Sequence, residues 1–175
     1  MSTRTTAVAE PAGRRLSARE RLLAAANELF YAEGVHSVGI DRVIEHAGVA
    51  KATLYSTFGS KDELVRAYLE GRHATIKAQL TRELPVRYAT ARERLTGVFE
   101  IRGESITAPS FRGCAFAAAN AEAGEGSAAR QATADYRSWL RTLFRDLAAE
   151  AGAADPDALA LFGLLKNRLT IDKSV

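Results

Sequence analysis

GVAKATLYSTFGSKDEL, residues 48–64, constrains this chain more than any other stretch. A helix that only packs in a core needs no glycine at its entrance. Nor does it need Lys51, Thr53, Tyr55, Ser56 and Thr57 crowded into two turns. Just upstream, Ile40, Val43 and Ile44 share one face of a short helix of about residues 40–46, which Gly48 stops by letting the chain turn sharply. Val49 follows as an apolar plug. A helix of about residues 51–58 then carries Leu54, Tyr55 and Phe58 on one stripe. Ala47 lets the two helices approach, and Val43, Val49 and Leu54 supply a miniature core. Together they predict a helix-turn-helix.

The rest of the chain reads as helical too. Ser17-Ala18-Arg19-Glu20 is a capping box, after which Leu22, Leu23, Ala26, Leu29 and Phe30 recur at helical spacing up to Gly34. Gly39 is a tolerable cap for the second helix. Ser60 to Glu63 forms a second capping box and opens a fourth helix, expected to end before Pro85. Helices of about residues 91–104, 116–123 and 127–152 follow. Asp155-Pro156 opens a last one, apolar nearly all round up to Leu165 and expected to be buried on several sides. No strand signal and no internal repeat appears. The expected fold is all-α, with a flexible arm over residues 1–16, a helix-turn-helix domain over 17–62, and a helical ligand-binding and dimerisation domain over 63–175.

The miniature core leaves one side of the third helix free, carrying Lys51, Thr53, Ser56 and Thr57 with Tyr55 at its margin. A helix fits the major groove of double-stranded DNA, where such donors and acceptors reach base edges and phosphates. Arg14, Arg15, Arg19, Arg42 and Lys61 are cationic companions, though Asp41, Glu45, Asp62 and Glu63 largely balance them. The net charge of +3 over 175 residues therefore decides nothing alone. A single cysteine, Cys114, excludes an internal disulfide framework. No apolar run reaches membrane-spanning length and no hydrophobic leader opens the chain, so a cytoplasmic location without membrane contact is expected. His36, His46 and His73 lack metal-ligand spacing, and neither metal nor cofactor is expected.

Residues 18–69 resemble the amino-terminal domain of the TetR family of bacterial transcriptional regulators. The resemblance rests on ELF-x-x-x-G from Glu28, I-x-x-A-G-V from Ile44, and K-x-T-L-Y-x-x-F-x-S-K-x-E-L from Lys51. It implies a homodimer on a near-palindromic operator, usually a repressor released by a small molecule. Position by position, it implies that Lys51, Ala52, Thr53, Tyr55, Ser56 and Thr57 lie on the recognition helix, with Tyr55 and Lys61 at phosphates. Two positions depart from the family pattern. Gly39 stands where the family usually has Thr, and Thr57 replaces a frequent aromatic residue or His.

In the carboxyl-terminal half, Phe99, Phe111, Phe116, Trp139 and Phe144 are candidates to line a ligand cavity, with Arg102 and Asn120 to orient an effector. Plain core packing explains the aromatics as well. Tyr136, Leu140, Leu143 and Leu147, with Leu161 and Leu165, are the candidate dimer stripe. A ligand-responsive repressor therefore competes with a helical small-molecule or protein-binding module that has lost DNA recognition. An enzyme is disfavoured, because no paired acid–base or nucleophile constellation is present.

Overall fold

The computed structural model describes residues 15–172, and all its regular elements are helices. These are α1 (Ala18–Glu33), α2 (Ile40–Ala47), α3 (Lys51–Phe58), α4 (Lys61–Arg87), α5 (Ala91–Ile106), α6 (Ala115–Glu122), α7 (Ala128–Glu150) and α8 (Pro156–Asp172). Most of the expected flexible arm, with Arg14, lies outside the described residues. Among those described, no helix is long and apolar enough to cross a membrane.

Local chemistry sets the first boundaries. Ser17 and Glu20 close a reciprocal capping box on α1, and Thr90 and Glu93 do the same on α5. Gly48 ends α2 at φ 61°, the left-handed conformation that glycine adopts freely. At α4 only half of the expected box forms. Ser60 accepts from the Glu63 N–H at 3.1 Å, but the Glu63 carboxylate turns to Arg66 at 3.2 Å. Nor does α4 stop before Pro85: it runs through to Arg87. Proline cannot donate to the carbonyl of Thr81, yet both residues are exposed, so water can satisfy that oxygen. Leu84 stays buried and accepts from the Tyr88 N–H at 3.0 Å, which keeps the last turn in place.

One continuous apolar core runs from Leu22, Val43 and Leu54 at the amino-terminal end, through Leu64, Tyr68 and Leu80 of α4, to Tyr136, Leu140 and Phe144 of α7. The boundary expected after residue 62 falls in the first turn of α4, and the helix crosses it without a break. Aromatic pairs knit the layers: Phe30 meets Tyr68 edge-on at 5.6 Å, and Phe116 stacks on Tyr136 at 4.0 Å. Asp62 accepts from the Ala128 N–H at 3.0 Å, joining the amino termini of α4 and α7.

The expected dimer stripe divides in two. Tyr136, Leu140 and Leu147 are buried within the single chain and Leu143 is half-buried. α7 packs this face against α4, α5, α6 and α8. The last helix, expected to be buried on several sides, is buried on one. Ala160 and Gly163 face inward, while Leu159, Leu161, Phe162 and Leu165 are 44–62 % exposed.

Candidate nucleic-acid interface

α3 is held from behind by Leu54, which is fully buried, and it turns an opposite face outward. The exposed residues are Lys51, Ala52, Tyr55 and Ser56, an i, i+1, i+4, i+5 stripe. Tyr55, at 47 % exposure, thus lies on the outward stripe and not at its margin or in the apolar one. Thr53 and Thr57, expected on the free face, are half-buried on its flank. The Thr57 hydroxyl donates to the Thr53 carbonyl at 2.6 Å, and Ser56 donates to the same oxygen at 3.1 Å. Such back-bonding occupies hydroxyls that a groove contact would have to recruit.

The turn into α3 is pinned by a residue that the sequence reading passed over. Arg21, one turn into α1, donates to the carbonyls of Ala47 at 3.3 Å and Gly48 at 2.9 Å. It thereby satisfies oxygens left bare at the carboxyl end of α2. A basic side chain is a natural partner for such oxygens, but nothing in the local pattern pairs position 21 with position 48. Arg19 is also engaged, its guanidinium lying 5.4 Å over the Phe58 ring.

Three basic side chains near the stripe, Lys51, Arg42 and His46, each meet an acid. Lys51 Nζ lies 2.8 Å from the Asp41 carboxylate, and this hydrogen bond, aided by the opposite charge, raises the ammonium pKa above its ordinary value. Arg42 pairs with Glu33, and His46 with Glu28 at 2.7 Å. Lys61 is half-buried in a groove with His36, Asp62 and Glu122, where burial lowers its pKa and Glu122 opposes the shift. Glu122 in turn accepts from the His36 N–H at 2.8 Å, bridging α6 to the loop after α1. The sequence showed that opposite charges balance here; only the fold shows which acid meets which base.

The expected ligand residues part company. A cavity of about 360 Å³ lies among α6, α7 and α8, with Phe116, Asn120, Tyr136 and Leu140 in its wall. A second, of about 220 Å³, takes in Arg102, Phe111 and Phe116. Phe99, Trp139 and Phe144 line neither. Phe99 stacks on Phe144 at 5.3 Å, and Trp139 packs against His73 at 5.0 Å, as aromatics at helical spacing do when they build core.

This arrangement is shared with known proteins. The description "Bacterial regulatory proteins, tetR family" matches residues 22–68. The FasR transcriptional activator of Mycolicibacterium smegmatis is 47 % identical over 64 residues, which is 35 % of this chain and 29 % of that protein. The chain thus spans under a third of that curated relative. A cysteine mutant of the TetR family regulator CifR, crystallised with a 26-base-pair operator duplex, shares the fold at TM-score 0.73 and 23 % identity, over 94 % of this chain and 89 % of that one. A crystallised tetR-type regulator of Streptomyces avermitilis is 34 % identical at TM-score 0.81, over 91 % of this chain and 86 % of its own. With one outward stripe on a helix locked behind by Leu54, and likeness to that regulator across nearly its whole length, this chain belongs to the TetR family of transcriptional regulators, with a DNA-binding helix-turn-helix at its amino-terminal end.

Proposed function

We propose that this regulator is a homodimeric repressor that reads an inverted-repeat operator and lets go of it when a small molecule occupies its carboxyl-terminal half. The observation that carries the reading is the outward stripe Lys51, Ala52, Tyr55 and Ser56. Small and polar side chains there allow close approach to base edges, while Tyr55 and Lys51 reach outward to phosphate or base. Thr53, Thr57, Arg42 and Lys61 act at the rim, Arg42 and Lys61 after parting from Glu33 and the Glu122 groove.

A second copy is the occupant that fits the exposed face of α8. Leu159, Leu161, Phe162 and Leu165 form an apolar patch, and a two-fold axis places such a patch against itself. The resulting symmetry sets two α3 helices over successive major grooves, about 34 Å apart or somewhat more. The smaller cavity has Arg72, Ile76 and Gln79 of α4 in its wall, and α4 is continuous with the head. An effector shifts operator affinity only by its preference for one arrangement of that helix, typically about 1–3 kcal/mol.

The ion pairs of Lys51, Arg42 and His46 favour the competing module without DNA recognition, since their acids also face the approaching phosphates. Selection from a randomised duplex library separates the two. The repressor reading expects an enriched inverted repeat, about tenfold or greater loss of affinity for Lys51→Ala, and relaxed preference at one position per half-site. In sedimentation, Phe162→Glu should turn a dimer into a monomer. No enrichment, or a wild-type monomer at micromolar concentration that still protects both half-sites, defeats the proposal.

A further inference from the structure

The smaller cavity lies where α1, α4 and α5 meet the segment of residues 107–114. Its walls include Tyr31, Arg72, Gln79, Arg102, Ser105 and Phe111. Tyr31 anchors the covering segment: its hydroxyl donates to the Gly113 carbonyl at 3.2 Å and accepts from the Arg112 N–H at 3.0 Å. Both hydroxyl bonds are thereby spoken for, and the ring face is turned to Arg72, whose guanidinium lies 3.7 Å from its centre.

The two arginines differ from four others on the same helices. On α4 and α5, Arg66, Arg82, Arg87 and Arg94 each stand within 4 Å of a carboxylate. No described carboxylate pairs with Arg72 or Arg102, although both line a cavity. Glu104, on the same helix as Arg102, is taken by Arg87, whose Nη1 donates to it at 2.9 Å. Arg72 has the Tyr31 ring and the Tyr68 hydroxyl for company, and Arg102 lies near Tyr136. Yet the Nε of each is buried without a hydrogen-bond partner. Two guanidinium groups sharing one small chamber, each with a buried donor unused, leave a deficit of negative charge that no described residue supplies. Buried donors are ordinarily satisfied, and a guanidinium is shaped to grip a carboxylate through two parallel bonds.

We propose that this cavity binds a small aromatic carboxylate, its anionic end held by Arg72 and Arg102 and its ring lying against Phe111 and Phe116. This rests on the effector-responsive reading and names the ligand class of that site. The position also suits a signal. Tyr31 belongs to α1 of the head and Arg72 to α4, so an anion that draws Arg72 toward Arg102 pulls on the stack joining them.

The test uses 1-naphthoate and 1-naphthamide, nearly equal in shape and different in charge, titrated calorimetrically into the full chain. Wild type should bind the carboxylate about tenfold or more tightly than the amide. Arg72→Gln and Arg102→Gln should each bring the carboxylate close to the amide's affinity and leave the amide where it was, while Arg102→Lys keeps part of the preference. Thermal melting identifies any variant that fails to fold, and the other then carries the comparison. Equal affinity of wild type for the pair, no binding of either, or variants that weaken both alike overturns the proposal. Operator release is followed in a separate titration. Charge discrimination without release supports the anion site and overturns the switch.

Discussion

The sharpest prediction concerns Asp41. Its carboxylate holds Lys51 Nζ at 2.8 Å, and both side chains are open to solvent, at 79 % and 55 % exposure. When α3 enters a groove, this carboxylate faces the same phosphates that Lys51 would meet, so the pair must separate before Lys51 can neutralise one. Asp41→Asn keeps the shape, removes the repulsion and frees the ammonium, which loses the partner that raised its pKa but stays charged at neutral pH, because even the ordinary lysine value of 10.5 lies far above it. Exposed pairs of this kind add little to folding, so the effect belongs to binding. One more phosphate neutralised per protomer steepens the salt slope by about 0.9, or about 1.8 for a dimer. Over a fourfold rise in salt, about 50 to 200 mM, that slope is worth a factor of about twelve. The variant should therefore bind operator more tightly than wild type at low salt and lose about twelvefold of that advantage by the upper end. Fluorescence anisotropy on a labelled operator across salt measures both quantities. An unchanged slope, or weaker binding at the low-salt end, would show that Asp41 is not competing with phosphate for Lys51.

Two further outcomes test the body of the molecule. Gly163→Ala should destabilise the fold by about 1–3 kcal/mol in urea titration, outweighing a helix-propensity gain of about 1 kcal/mol. An added Cβ would stand 2.9 Å from Cγ of Phe144, a fully buried ring with nowhere to retreat, so a more stable variant would refute the packing. His73, packed against Trp139, has its pKa lowered from 6.5, first by burial and then by Lys77, with Asp135 opposing. The folded chain then binds fewer protons there than the unfolded one, so this residue costs stability as pH falls below 6.5 and nothing above it. His73→Gln should flatten the wild-type pH dependence of stability between about pH 6.5 and 5; matching profiles for the two proteins would exclude the effect.

Much of the architecture was legible in residue order alone, because the forces involved act within a few positions. The box at Ser17 and Glu20, the turn at Gly48 and the stripe ending in Leu29 and Phe30 are local agreements between side chain and backbone. The helix-turn-helix motif followed from them; the family was legible only through the resemblance of residues 18–69 to known regulators. Helix ends failed where a local rule met a distant anchor. Pro85 ought to stop a helix, but buried Leu84 holds one more turn in place.

The sites were decided by tertiary structure. Periodicity marks a face as apolar without naming its partner. In sequence the α7 stripe of Tyr136, Leu140 and Leu147 was therefore as good a dimer surface as a core; in the fold it is buried against neighbouring helices, while Leu161 and Phe162 stay exposed. Within α3, eight residues of near-uniform promise were sorted by the direction in which Leu54 is buried, which turned Tyr55 outward and Thr57 aside. Charge was the least legible. A count of acids and bases is blind to distance, and ion pairs are set across elements: Asp41 to Lys51, Glu28 to His46, Glu104 to Arg87. The same blindness hid Arg72 and Arg102, ordinary in sequence and notable only because the fold brings both to one cavity and carries their acids elsewhere.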